Sequence, residues 1–148
     1  MKEYMFDTNI FNKILDGKID TNFFKMKGKF YVTHIQYDEI INTVNEKRRQ
    51  ELIDIFYLIE QEKIPTETFV LDYSRLDEGK LSNGTLYQII LNELNEKNPG
   101  REASNIRDAL IAETCIKNNI ILVTNDNTLY KIVKKQSIEV MKLNEFLN

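Results

Sequence analysis

The chain has one cysteine among its 148 residues, Cys115. That excludes an intramolecular disulfide and a cysteine-based zinc site. It has one histidine, His34. A Ser-His-Asp or Cys-His mechanism would therefore have a single possible base, and no motif around His34 supports one. Two prolines and five glycines leave little material for a linker. The expectation is one domain over residues 1–148 with one real core. No apolar run approaches the ~18 residues of a membrane span. The N-terminal stretch reaches Asp7 before a signal-like apolar region can form, so the expected location is cytoplasmic, away from any membrane. An excess of positive charge is also missing. The net charge of −3 argues against a general nucleic-acid coat protein. It does not exclude a nuclease, whose acidic site counts against the total while bases cluster locally. The candidate clusters are Lys25/Lys27/Lys29, Lys47/Arg48/Arg49, Arg101/Arg107 and Lys131/Lys134/Lys135, each of which could equally be a solvated face.

What is present is an alternation of strand-like and helix-like segments. Residues 3–6, 30–32, 68–71, 120–124 and 138–141 read as strands. Thr8 to Leu15 reads as a helix capped by Asp7 or Thr8 and ended at Gly17. Residues 18–29 read as a loop or short helix. Thr33 reads as the cap of a helix with Ile35, Ile40, Ile41 and Val44 on its apolar face. Residues 47–61 form a strong amphipathic pattern, and Leu86 to Leu94 another. Asn98-Pro99-Gly100 is a turn. Ser104 reads as the cap of a helix reaching about Lys117, followed by a short helix from Asn127 to Lys135 and a final turn over Leu143 to Leu147. Such alternation predicts a parallel sheet with helices on both faces.

Four acids stand out against this pattern. Asp7 ends the run Tyr4-Met5-Phe6. Glu39 follows the second strand by about one and a half helical turns. Asp108 opens Asp108-Ala109-Leu110-Ile111-Ala112, on the helix that feeds the fourth strand. Asp126 follows that strand. Strand C-termini share one edge of a parallel sheet, and ligands bind along it. Taken singly, Asp7 could be a helix cap, Glu39 a solvated acid, Asp108 a partner of its helix dipole and Asp126 a turn residue. Turns and caps explain their joint order much less easily. Several carboxylates suit a hard divalent cation, which takes oxygen ligands and activates water for phosphodiester hydrolysis. Two unpaired carboxylates 4 Å apart repel by roughly 4 kcal/mol at an effective dielectric of 20. A cation, a shared proton or a basic neighbour must offset that.

The ordered set Met5-Phe6-Asp7-Thr8-Asn9, Val32-Thr33 with Glu39, Asp108-Ala109-Leu110-Ile111-Ala112 and Val123-Thr124-Asn125-Asp126 resembles the PIN domain, across nearly the whole chain. Residues 45–100 depart from the family most. Stand-alone members of similar length include VapC-type ribonuclease toxins. The resemblance implies a three-layer α/β/α sandwich, Mg²⁺ or Mn²⁺ dependence and cleavage of single-stranded RNA. It implies Asp7, Glu39, Asp108 and Asp126 as acidic site residues and metal ligands, with Asn9 and Thr124 as polar supports. It also implies an antitoxin partner and a homodimer through the early helices. Arg101, Arg107 and Lys131 are the candidate phosphate holders, and Tyr130 and Phe11 could stack on a base. Cys115 shares a helical face with Ile111 and reads as a buried inert thiol. The rival readings are a catalytically inactive PIN-like scaffold that binds RNA or protein, and phosphotransfer. A HAD-type phosphatase needs a second Asp where Asn9 stands, and a receiver domain needs an acidic pair after the first strand.

Overall fold

The computed structural model describes residues 1–70 and 84–148. Its centre is a five-stranded sheet of β1 (Lys2–Phe6), β2 (Gly28–Val32), β3 (Gln61–Lys63), β4 (Ile121–Val123) and β5 (Val140–Met141). The order is β3-β2-β1-β4-β5, and every pairing is parallel. The connecting helices are α1 (Thr8–Asp16), α2 (Phe24–Lys27), α3 (His34–Ile41), α4 (Glu46–Leu58), α5 (Thr85–Lys97), α6 (Glu102–Asn118), α7 (Asn127–Lys134) and α8 (Leu143–Leu147).

Strand residues alternate between faces, so each strand feeds two cores. Tyr4, Phe6, Phe30, Val32, Ile121 and Val123 point to one side, where Phe11, Phe24, Leu52, Phe56 and Phe146 cover them. Met5 and Leu122 point to the other, against Ile90, Leu94, Leu110, Cys115, Ile132 and Val133. The result is three layers, α/β/α. Phe146 from α8 meets Tyr4, Phe6, Phe24 and Phe30 with ring centroids 5.1 to 6.0 Å apart. Gly28 starts β2 because a Cβ there would lie 2.2 Å from the Lys2 carbonyl oxygen across the pair.

Several local expectations need correction. The third strand is Gln61–Lys63, not 68–71; residues 68–70 form no strand, and Leu71 lies outside the described residues. Helix α4 stops at Leu58, where Ile59 turns to extended backbone, and the Gln61 side-chain Nε2 donates to the freed Phe56 carbonyl, 3.0 Å, at the start of the edge strand. Helix α3 ends at Ile41, leaving Val44 95% exposed rather than in the core. Helix α6 starts at Glu102, so Ser104 is not its cap. The last strand shortens to Val140–Met141.

Strands β1, β2 and β3 succeed one another in one direction from the centre. The chain then crosses back to lay β4 on the other flank of β1. In such a sheet the crevice lies where the order reverses, outside the strand C-termini. Here that is the gap between the ends of β1 and β4.

Candidate metal-binding acidic site

Asp7 immediately follows β1 and caps α1. Its Oδ1 accepts from the Thr8 amide at 2.8 Å, and its Oδ2 accepts from the Thr124 hydroxyl at 2.9 Å. Thr124 immediately follows β4 and is fully buried; its Oγ1 also accepts from the Asp126 amide, 3.1 Å. One hydroxyl thus ties the ends of the two central strands. Asp126 caps α7, its Oδ1 accepting from the Leu129 amide at 2.9 Å.

Glu39 sits in the second turn of α3, and the Thr8 hydroxyl donates to its Oε1 at 2.7 Å. The start of α3 is fixed by a capping box between Thr33 and Gln36. The buried Gln36 also donates to the Phe6 carbonyl, 3.1 Å, the last residue before Asp7. Helix α6 ends beside the start of β4 and so begins at the opposite, C-terminal edge of the sheet. Asp108 lies in its second turn, too far in to serve the helix start. Arg107 Nε stands 3.3 Å from Glu39 Oε2 as an ion pair, though its N–H is not aimed as a hydrogen bond.

Asp7 and Asp108 feel the other acids. Burial pushes Asp7 up to about 6, with Thr124 and Thr8 opposing and the charges of Glu39 and Asp126 adding. Burial, then the charges of Asp7, Glu39 and Asp126, push Asp108 up to about 8, against Arg107. Glu39 is raised by burial, with Thr8 and Arg107 opposing. Among the described residues, the Arg107 guanidinium offsets Glu39 and Asp108.

All the donors are oxygens, the set a hard divalent cation takes. Among the described residues no three acidic, histidine or cysteine side chains close around one point. An open set of one or two carboxylates completed by water and phosphate is the usual way Mg²⁺ is held, so the residues fit it.

The remaining sequence candidates fall differently. Asn9 is exposed on α1 and hydrogen-bonds none of the four acids; Thr8 makes the contact instead. Arg107 belongs to the cluster as the counter-charge of Glu39. Arg101 is exposed at the start of α6, and Lys131 is exposed on α7. Phe11 is fully buried and cannot stack on a base. Tyr130 is half-buried one turn beyond Asp126. Cys115 is buried against the Met5 sulfur at 3.6 Å, and burial raises its thiol far above the ordinary range. Sequence reasoning missed Thr8 and Gln36 as parts of the site. The Thr33-x-x-Gln36 spacing was a usable signal for the second.

The chain resembles solved structures over nearly its whole length. VapBC2 from Rickettsia felis, bound to a DNA fragment from its promoter, is 21% identical with a TM-score of 0.59, covering 95% of this chain and 98% of that one. DNA-bound VapBC from Salmonella typhimurium is 16% identical with a TM-score of 0.59, covering 96% and 98%. PAE2754 from Pyrobaculum aerophilum is 16% identical with a TM-score of 0.57, covering 99% and 87%. At these identities the likeness speaks to the fold. No curated protein matches the chain in sequence. The PIN-domain family profile matches residues 4–135, and the chain belongs to the PIN domain family.

Proposed function

We propose that the protein is a divalent-metal-dependent endoribonuclease acting on single-stranded RNA, the toxin of a toxin–antitoxin pair. The observation that carries the reading is that Asp7 and Asp108 feel the charge of Glu39 and Asp126 at the β1/β4 crevice, with Arg107 as the basic neighbour of Glu39 and Asp108. Burial and mutual charge hold these carboxyl groups back from ionising, a cost that a bound cation would relieve. Asp7, Glu39, Asp108 and Asp126 hold the Mg²⁺ or Mn²⁺. When bound, the ion supplies a water of lowered pKa and neutralises charge on the phosphate.

The chain's own residues do the rest. Thr124 fixes the Asp7 carboxylate against the end of β4. Thr8 and Arg107 orient Glu39 from two sides. Arg101 and Lys131 at the rim hold flanking phosphates and make binding salt-sensitive. Direct attack by water needs no nucleophilic side chain and no histidine pair. The products are a 5′-phosphate and a 3′-hydroxyl.

The antitoxin partner rests on the fold shared with two VapBC proteins. A homodimer through α3 and α4 rests on exposed apolar side chains, Val44 between the two helices and Tyr57 and Leu58 at the end of α4. The protein acts in the cytoplasm as one nuclease domain over residues 1–148; no helix among the described residues is long and apolar enough to cross a membrane. The family match sets a HAD-type phosphatase aside.

The test is incubation of single-stranded RNA with the wild type and Asp7→Ala, in Mg²⁺ or Mn²⁺ and in chelator. Metal-dependent cleavage lost in Asp7→Ala, with RNA binding retained, is expected. Products ending in a 2′,3′-cyclic phosphate, or cleavage persisting in excess chelator, overturn the mechanism. RNA binding without cleavage in the wild type establishes the scaffold reading instead.

A further inference from the structure

The C-terminal part of the chain gathers an aromatic ring and two ammonium groups beside the acidic site. Tyr130 follows Asp126 by four residues, and its amide donates to the Asp126 carbonyl, 2.9 Å. Residues four apart share one helix face, one above the other. Lys134 continues that stripe; its Nζ lies 5.3 Å from the Tyr130 ring centroid and 3.4 Å from the phenol oxygen. Lys142 reaches the same ring from beyond β5, with its Nζ 4.9 Å from the centroid. Its position is fixed by the Asn125 carbonyl at 3.4 Å and by the Asn127 side chain, the two neighbours of Asp126.

The lysines of this chain differ in their partners. Lys135 pairs with Glu93, Lys117 with Glu113 and Lys25 with Glu60. Among the described residues neither Lys134 nor Lys142 has a carboxylate within ion-pair distance of its ammonium. Both charges are held by neutral groups and stay available to an anion. Tyr130 lies four residues from Asp126, ~6 Å along the axis of α7. A ring that stacks a base, with cations on either side for its phosphates, is the arrangement used to hold single-stranded nucleic acid without reading its sequence.

We propose that Tyr130, Lys134 and Lys142 form a nucleotide subsite for single-stranded RNA, in which one base next to the cleaved linkage stacks on Tyr130. Its flanking phosphates draw Lys134 and Lys142 away from the ring. This rests on the nuclease reading for its location, but its binding step needs no metal and no cleavage.

The experiment measures binding of a fluorescein-labelled single-stranded RNA to the full chain in excess chelator, across a salt series, followed by cleavage with Mn²⁺ restored. Tyr130→Leu keeps apolar bulk and removes the stacking face; binding weakens about tenfold. Tyr130→Phe keeps the face and binds within about twofold of the wild type. The double variant Lys134→Gln/Lys142→Gln reduces the steepness of log K against log salt by about 1.4, two phosphates at roughly 0.7 each. Lys25→Gln, at the other edge of the sheet, leaves the slope unchanged. A fully paired duplex of the same sequence does not feel Tyr130→Leu. Weakened binding in a protein that never cleaves keeps the subsite and removes the nuclease reading. Intact cleavage with unaltered binding and KM in all the Tyr130, Lys134 and Lys142 variants overturns the subsite, as does a wild type that binds no RNA.

Discussion

Raising the pH without metal should destabilise this protein, and the acidic cluster sets the size of the effect. Asp7 and Asp108 are held at about 6 and about 8 in the folded chain, against 3.8 for an ordinary aspartate. A carboxyl group raised in this way favours the folded state most below its ordinary value. That contribution is lost as the pH climbs through the folded value. Between pH 5 and pH 8 the folded protein keeps on average about one proton that the unfolded chain has released, nearly two at the start of that range and about half of one at its end. One proton corresponds to about 1.4 kcal/mol per pH unit, so three units remove roughly 4 kcal/mol. That is a large share of the ~5–15 kcal/mol that stabilises a domain. At about 2–4 °C per kcal/mol for a chain of this size, Tm should fall by ~10 °C. Differential scanning calorimetry in chelator from pH 5 to pH 8 measures it. Asp108→Asn removes the most strongly raised carboxyl group and should flatten the decline while abolishing cleavage. Mg²⁺ or Mn²⁺ at a hundredfold excess over its Kd should restore about 2.7 kcal/mol at pH 8. A Tm that is level or rises over this range in chelator refutes the argument. So does an Asp108→Asn variant with the wild-type slope.

Three further outcomes follow from single contacts. Thr124→Val removes the hydroxyl that joins Asp7 to the Asp126 amide; urea titration should show a loss of about 1–3 kcal/mol, and turnover should fall while RNA binding holds. Phe146→Ala empties the centre of the aromatic layer and should cost about 3–5 kcal/mol with no change in the metal response of what remains folded. Gly28→Ala places a methyl group 2.2 Å from the Lys2 carbonyl oxygen; it should lower Tm and weaken amide-exchange protection along β1 and β2 before elsewhere.

The parallel fold and the four acids were legible because buried strands announce themselves as apolar runs, and each acid could be placed against a strand or its feeder helix. The edge strand β3 was hidden because Gln61-Glu62-Lys63 pairs on one side only and has no apolar face to bury. Val70 and its neighbours looked more like a strand, yet β propensity describes half-buried surface rather than position in a sheet. Val44 misled for a related reason. A helical period does not reveal that α3 ends at Ile41. The hydroxyl of Thr8 and the amide of Gln36 escaped notice because small polar residues at helix starts read as caps, and Thr8 reaches across 31 residues to Glu39. Arg107 read as a free hand for phosphate because sequence gives no measure of which acid lies nearest.

The sequence separation of 117 between Asp7 and Thr124 gives the fold a timetable. Strand β1 is made first and sits at the centre of the sheet, with β2 on one flank and β4 on the other. Until β4 leaves the ribosome, one edge of β1 has no partner, Asp7 has no hydroxyl to hold its second oxygen, and Asp126 does not exist. At about 5–20 residues per second that interval is on the order of ten seconds. A nascent chain therefore carries an incomplete acid set and an open strand edge throughout the interval between β1 and β4, and any fragment ending before β4 keeps both defects permanently.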